Sequence, residues 1–194
     1  MGSKTTWWMG LSFASGGLLL PVGCSDAQHA SNERIDEAQQ DLGPGGGCGS
    51  GGTWETEWLV VESTSAGDSH VTFSNPGLSG GKGTMLGANA ANDFVVYSGP
   101  CPDVYSSRRT KVRVFRTPIS GRFQLAWSTT KTGPWSNIGA VQDLYSSATG
   151  FWELDLATIN YGGASPYFRF LVTGKHPWST GYALHLDYID LSLP

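Results

Sequence analysis

Short segments in which apolar and polar residues alternate run through most of the chain. In "GRFQLAWS", Phe123, Leu125 and Trp127 fall on one side, and Arg122 and Gln124 fall on the other. This alternation has the period of a β-strand with one buried face, and turn residues separate successive segments about every 10–15 residues. We therefore predict strands at 54–62, 69–74, 83–88, 93–98, 110–117, 121–128, 138–145, 150–156, 167–173 and 182–193.

The last predicted strand breaks the alternation. Leu184, Leu186 and Tyr188 share one face, whereas Ile189, Leu191 and Leu193 share the other. A β-bulge near Tyr188–Ile189 would place both apolar sets inside. No segment carries a convincing helical pattern, and half-buried strands of this length pack as two antiparallel sheets. We predict an all-β antiparallel β-sandwich over residues 54–194.

Composition narrows the function classes. The chain has 194 residues, enough for a single domain with a sizeable core, and 8 Trp residues argue against general disorder. Charged residues make up only 14%, and the formal net charge is −4 without a cluster of Lys and Arg. We therefore expect no nucleic-acid partner, and we expect a monomer.

The first 24 residues, "MGSKTTWWMGLSFASGGLLLPVGC", have the organisation of an export signal. Lys4 precedes an apolar run from Trp7 to Val22, and small residues precede Cys24. "VGC" resembles the bacterial lipoprotein cleavage motif, although Pro21 stands where that motif has Leu. We predict an exported protein of the bacterial cell envelope, anchored to the membrane by lipid on Cys24; ordinary secretion is the alternative.

Residues 25–53 are typical of a flexible linker. A polar stretch is followed by "GPGGGCGSGG", and a Gly-rich chain of this length spans roughly 30 Å. The alternative is a poorly ordered N-terminal extension. If Cys24 carries lipid, Cys48 and Cys101 remain as an even pair, and a disulfide between them is expected in an oxidising compartment. Two unpaired thiols are the alternative.

Several segments together resemble a known family. "VVESTSAGDSHVTFSNPGLSGGKGTML", "DFVVYS", "KVRVFRTPISGRFQLAWS" and "LHLDYIDL" follow one another in an order similar to that of galactose-binding-like jelly-roll modules. The resemblance extends over residues 57–194 and is greatest for carbohydrate-binding module families six and thirty-five, including modules appended to secreted bacterial glycosidases. It implies a jelly-roll sandwich that binds carbohydrate.

The resemblance also implies a structural calcium ion. In such modules, acidic residues of the first and last strands bind the ion, which places Glu62 and Asp187 as ligands here. The first glutamate of the family's opening pair is replaced by Val60. The alternative is that Asp187 and Asp190 are solvated strand residues or accept loop N–H bonds.

Aromatic side chains in loops are the candidate ligand contacts, because sugars stack their apolar faces on exposed rings. Trp135 in "TKTGPWSN" and Trp178 in "GKHPWSTG" each follow Pro in Gly-rich turns, and Tyr161 and Tyr105 also lie in turn contexts. The remaining tryptophans that follow residue 53 lie within strand patterns, which favours core or cross-strand positions: Trp54, Trp58, Trp127 and Trp152.

In the resembled families the loop before the last strand helps to form the ligand cleft. That places Trp178 as a stacking surface, with Lys175 and His176 as hydrogen-bonding groups. The alternative is that Trp178 folds back over the end of the sandwich as a lid. We predict a non-catalytic module that binds polysaccharide or glycan.

A surface structural or protein-interaction β-sandwich is the alternative function, and a glycoside hydrolase or polysaccharide lyase is the third. The sequence has no H-E-x-x-H motif and no phosphate-binding Gly loop. Glu153 and Asp155 share one strand face, with carboxyl groups about 7 Å apart, a spacing that a two-carboxylate hydrolase site can use.

Overall fold

The computed structural model describes residues 52–99, 107–163 and 165–194. Within them the chain forms eleven strands and two short 3-10 turns, Thr56–Trp58 and Ser79–Gly81. The strands are β1 (Gly52–Glu55), β2 (Val61–Thr64), β3 (Ser69–Ser74), β4 (Lys82–Gly87), β5 (Phe94–Ser98), β6 (Ser107–Arg116), β7 (Gly121–Ser128), β8 (Ser136–Asp143), β9 (Gly150–Asn160), β10 (Tyr167–Lys175) and β11 (Leu184–Ser192). No helix in these three ranges has the length and hydrophobicity needed to cross a bilayer.

The strands form two antiparallel sheets, which confirms the predicted β-sandwich. Sheet A has the order β3-β4-β11-β6-β9, and β1 also pairs with β11. Sheet B has the order β2-β5-β10-β7-β8. The apolar positions of both sheets meet in one core, in which Tyr97, Phe123 and Phe170 pack ring against ring.

The break in phase of the last strand is a β-bulge, as predicted. The register of β11 against β6 shifts between Leu186 and Tyr188, so Asp187 is the extra residue. Leu184 and Leu186 before the bulge and Ile189 and Leu191 after it are all buried. The bulge lies one residue earlier than expected, and Tyr188 consequently leaves the core.

The predicted first strand, 54–62, is wrong as a single element. β1 ends at Glu55, the 3-10 turn follows, and β2 begins at Val61 in the other sheet. The hydroxyl of Thr56 donates to the carbonyl oxygens of Leu186 and Asp187, at 3.0 and 2.9 Å. These bonds bind the turn to the bulge, and the chain then crosses from sheet A to sheet B.

The strand tryptophans divide into two groups. Trp54 and Trp127 pack against the core, as predicted. Trp58 and Trp152 instead leave 49% and 53% of their surface exposed, which corrects the expectation that every strand tryptophan is structural. Trp152 lies on β9, the edge strand of sheet A, where no neighbouring strand covers it.

The register fixes which loops share an end of the sandwich. β6, β8 and β10 finish at one end, which we call the platform end, and β11 begins there. At the opposite end β7 finishes and β8 and β10 begin. Gly52 pairs with Leu191, so the first and last described residues both lie at that opposite end.

Candidate functional site

Three loops meet at the platform end: 117–120, 144–149 and 176–183. Isolated bridges join Thr117 to Tyr145 and Ser120 to Ala183. The hydroxyl of buried Ser179 lies 3.2 Å from the carbonyl oxygen of Pro118 and 2.8 Å from that of Ser120. Loops connected in this way hold the side chains that they carry in fixed positions.

An aromatic cluster stands on these loops. The rings of Tyr145 and His176 are stacked, with centroids 4.5 Å apart. Trp178 meets both rings edge-on, at 6.3 Å from Tyr145 and 5.2 Å from His176. The indole of Trp178 is 75% exposed, so it does not fold back as a lid. An open indole supported by two rings is suited to stacking against the apolar face of a sugar.

Arg116 connects this cluster to Trp152. Its guanidinium lies 4.2 Å from the centroid of the Trp152 ring, a cation–π contact. The same group donates to the carbonyl oxygens of Tyr145, at 2.6 Å, and Asp143, at 3.3 Å. We call Trp152, Arg116, Tyr145, His176 and Trp178 together the aromatic platform. Trp152, Arg116 and Tyr145 were missed in the sequence because a strand pattern does not reveal which edge residue remains uncovered.

Lys175 lies beside the platform, at the end of β10. Its ammonium group is 5.1 Å from the centroid of the Tyr182 ring, in the same loop as Trp178. The structure therefore brings together three predicted contact residues: Lys175, His176 and Trp178.

Trp135 lies at the opposite end of sheet B. It precedes Ser136, which pairs with Trp127 near the end of β7, and a cis peptide bond joins Gly133 to Pro134 just before it. The guanidinium of Arg169 lies 4.7 Å from the centroid of its ring. An eight-residue strand is about 25 Å long, so Trp135 and Trp178 do not form one site.

Tyr161 is not an exposed turn residue, which corrects the sequence expectation. Its side chain is 1% exposed, its ring meets Trp127 and Phe168, and its hydroxyl is 2.8 Å from Thr110 Oγ1. The apolar end of β9 carries the ring into the core before the turn begins. Tyr105, Cys24, Cys48 and Cys101 lie outside the described residues, so ligand contact, lipidation and the disulfide stay predictions.

The expected calcium pair is not brought together. Glu62 lies on β2 of sheet B, where Lys131 Nζ is 3.7 Å from its carboxylate. Asp187 lies on β11 of sheet A, fully buried, with Arg113 Nη1 at 2.7 Å and the Ser79 amide at 3.1 Å. The two carboxylates stand on different sheets because β2 crosses to sheet B after the 3-10 turn.

Two other glutamates, Glu55 and Glu57, lie close enough to Asp187 for their charges to interact with it. Burial, together with the neighbouring carboxylates of Glu55 and Asp187, raises the pKa of Glu57 to about 7. Burial also raises the pKa of Glu55 and of Asp187. The Oε2 atoms of both glutamates are buried without a hydrogen-bond partner. Across the described residues, no three His, Cys, Asp or Glu side chains already converge as a ligand set.

The Glu153 and Asp155 pair is tied into ion pairs on the outer face of sheet A. Glu153 bonds to Tyr188 Oη at 2.7 Å and Lys111 Nζ at 3.0 Å, and Asp155 bonds to Arg109. Hydrogen bonds from Tyr188 and Lys111 lower the pKa of Glu153, and the bond from Arg109 lowers that of Asp155. A glycosidase acid needs a raised pKa, so this pair does not suit the role.

Comparison with known proteins agrees with this architecture. No protein-family model matches the chain, and no curated protein does. Among solved structures, a Paenibacillus xanthan lyase is similar over 73% of this chain, with 27% identity and a TM-score of 0.63. The matching region is only 13% of that enzyme.

Carbohydrate-binding modules of family 6 are similar at lower identity. A β-1,3-glucan-binding module from Bacillus halodurans matches 73% of this chain and 95% of its own, with 16% identity and a TM-score of 0.48. A Clostridium stercorarium module in complex with cellobiose matches 79% of this chain and 100% of its own, with 13% identity and a TM-score of 0.49.

Proposed function

We propose that the described domain binds polysaccharide on the aromatic platform and does not transform it. The observation that carries the proposal is the open indole of Trp178, which contacts Tyr145 and His176; Arg116 connects this cluster to exposed Trp152. Rings held in fixed positions bind a sugar without a further loss of side-chain entropy. The similarity to a segment of a xanthan lyase supports a polysaccharide ligand, because xanthan is a polysaccharide.

Affinity electrophoresis tests this proposal in gels cast with a panel of soluble polysaccharides. We expect at least one polysaccharide to retard the domain and Trp178→Ala to abolish most of that retardation. Trp135→Ala is the matched control, because it removes a loop indole at the opposite end of the sandwich. Equal retardation of wild type and Trp178→Ala, with loss in Trp135→Ala, would place the site at the other end instead.

We also propose a structural calcium ion, held by Glu55, Glu57 and Asp187 rather than by Glu62. Carboxylate oxygens are the ligands that calcium prefers, and the two unpartnered Oε2 atoms fit such a set. Arg113 is paired with Asp187, and a bound ion would supply positive charge to the two glutamates as well. Calcium should raise the unfolding temperature of wild type and of Glu62→Gln, but not that of Glu57→Gln. An equal calcium response in all three proteins would remove the proposed ligand set.

The export signal and the lipid on Cys24 remain predictions of the sequence. They are compatible with a binding domain at a cell surface. Replacing Cys24 with Ser and following the protein between membrane and soluble fractions tests the anchor. An unchanged membrane fraction would contradict it.

A further inference from the structure

The aromatic platform carries a positive charge that no carboxylate neutralises. Arg116 is held by two carbonyl oxygens and by the face of Trp152. Within the described residues, no Asp or Glu lies within ion-pair distance of Arg116. Its Nε is buried without a hydrogen-bond partner.

Lys175 adds a second cation of the same kind. It is exposed, it faces the Tyr182 ring, and none of the ion pairs in the described ranges includes it. Arg122, which begins β7 nearby, differs because Asp143 is 2.8 Å from its Nε. Among the described residues, Arg116 on the platform and Lys175 beside it are thus cations without an ion-pair partner, whereas nearby Arg122 is neutralised by Asp143.

The carboxylate of Asp143 also lies at this end and is paired with Arg122, and two further acidic side chains, Asp68 and Asp93, lie towards the other edge of sheet B. Asp68 and Asp93 are in the loops that flank β2 and β5, and the Asp93 carboxylate accepts the backbone amides of Asn89 and Ala90 at 2.7 and 2.8 Å. The net charge of the whole chain, −4, thus conceals a local excess of positive charge around Trp178. A ligand in contact with the platform experiences the electrostatic field of the nearby side chains more strongly than that of the net charge of the chain.

We propose that the ligand of the aromatic platform is an acidic polysaccharide, whose sugar faces stack on Trp178 and Trp152 and whose carboxylates are bound by Arg116 and Lys175. This inference rests on the proposed function, because it concerns the same platform. Stacking would bind neutral and acidic sugars alike, and the two cations add a preference for carboxylate. The class of ligand includes chains of uronic acids and chains with acidic substituents.

Matched pairs of polysaccharides test the proposal. Polygalacturonate, alginate and xanthan are each titrated into the domain by calorimetry beside their carboxyl-reduced forms, which keep the backbone and lose the charge. We expect one acidic member to bind at least about fivefold more tightly than its reduced form. Raising NaCl from about 50 to 500 mM should remove most of that difference, because salt screens exposed charges.

Substitutions then locate the charge. Lys175→Gln should weaken binding to the acidic member about two- to fivefold, the range of an exposed ion pair, and weaken binding to the reduced form less, because Gln keeps a hydrogen-bond donor but not the charge. Lys131→Gln is the matched control, because Lys131 is an exposed lysine beside Glu62 in the loop that also carries Trp135, at the opposite end. Arg116→Lys keeps the positive charge. The variant should still bind the acidic form more tightly than the reduced form, even if the carbonyl groups of Tyr145 and Asp143 shift when their bonds to the guanidinium are lost.

The outcomes separate the two proposals. Equal binding of the acidic and reduced forms, lost in Trp178→Ala, would overturn the acidic ligand and keep the polysaccharide site. If Lys131→Gln and Lys175→Gln reduce the preference for the acidic form equally, the proposal of an acidic ligand would also be overturned. Absence of binding to every member of the panel would overturn both.

Discussion

The imidazole of His176 lies parallel to the phenol ring of Tyr145, with an interplanar angle of 7° and a centroid distance of 4.5 Å. The Nδ1 atom of the same imidazole accepts the backbone N–H of Trp178 at 3.2 Å. One side chain therefore stacks on the neighbouring loop and also fixes the turn that carries the exposed indole. His176 positions Trp178 whether or not it touches a ligand.

His176→Ala should weaken polysaccharide binding about two- to tenfold, because the stack and the acceptor for the Trp178 amide are lost together. His176→Phe keeps a ring over Tyr145 and should recover part of the affinity. Calorimetry with the polysaccharide that the gels retain measures both. Trp58→Ala removes an exposed indole outside the platform and should bind as wild type does. Identical affinities for wild type and His176→Ala would contradict the positioning role.

Glu57 should make the domain less stable as the pH rises. Burial raises its pKa to about 7 in the folded protein, whereas the unfolded chain has the ordinary value of 4.5. The folded protein therefore keeps a proton that the unfolded chain releases between pH 4.5 and 7. The stabilising contribution is complete below pH 4.5 and is lost as the pH rises through 7.

Glu57→Gln imitates the protonated side chain and should be about 1–2 kcal/mol more stable than wild type at pH 8, after a discount for partial exposure. Urea unfolding at pH 5, 6, 7 and 8 in the presence of EDTA measures this difference. Glu62→Gln is the control and should follow the wild-type profile. A Glu57→Gln profile parallel to that of wild type would show that the carboxyl is not buried in a raised-pKa state.

Arg113 should contribute to the stability of the fold, because its ion-pair partner Asp187 is fully buried. Arg113→Met leaves that carboxylate without a countercharge and should cost about 2–4 kcal/mol at pH 7. The cost should shrink at pH 4, because burial raises the pKa of Asp187 and the group can then be protonated. Arg109→Met breaks the exposed pair with Asp155 and should leave the urea midpoint unchanged. Equal midpoints for both variants would contradict the assignment.

The hydroxyl of Tyr97 is a buried junction between the two sheets. It lies 2.8 Å from Thr84 Oγ1 and 2.9 Å from His70 Nε2. Tyr97→Phe should cost about 1–2 kcal/mol, because Thr84 loses its buried partner. Tyr167→Phe, whose hydroxyl has no partner in the described part of the chain, should cost less in the same denaturant titration. A wild-type midpoint for Tyr97→Phe would show that water replaces the lost bonds.

Much of the fold was predictable because strand alternation reports burial directly. The phase break in β11 predicted the bulge, since two apolar sets on opposite faces can enter one core only if the strand slips. The division of residues 54–62 was not predictable in this way. It depends on the Thr56 hydroxyl reaching the bulge, a contact between residues about 130 positions apart in the chain.

The candidate site was only partly predictable. Loop position with Gly and Pro around it made Trp178 a candidate for an open ring, with a lid as the alternative, and the structure shows the ring open. The same signal was wrong at Tyr161, because the apolar end of β9 takes that ring into the core. The prediction for Trp152 was wrong in the opposite direction, since a core or cross-strand position was expected and the ring is exposed. Alternation cannot distinguish an edge strand from a central strand. Which carboxylates lie beside Asp187 depends on the sheet that each strand joins. Pairing between strands that are distant in the sequence decides this, so the sequence pattern did not reveal it.

Gly52 pairs with Leu191 at the end of the sandwich that lies away from Trp178. Chain continuous with either residue therefore joins the domain on the side remote from the exposed indole. In a tethered protein, this polarity would direct the stacking rings outward, towards material at a distance from the attachment point.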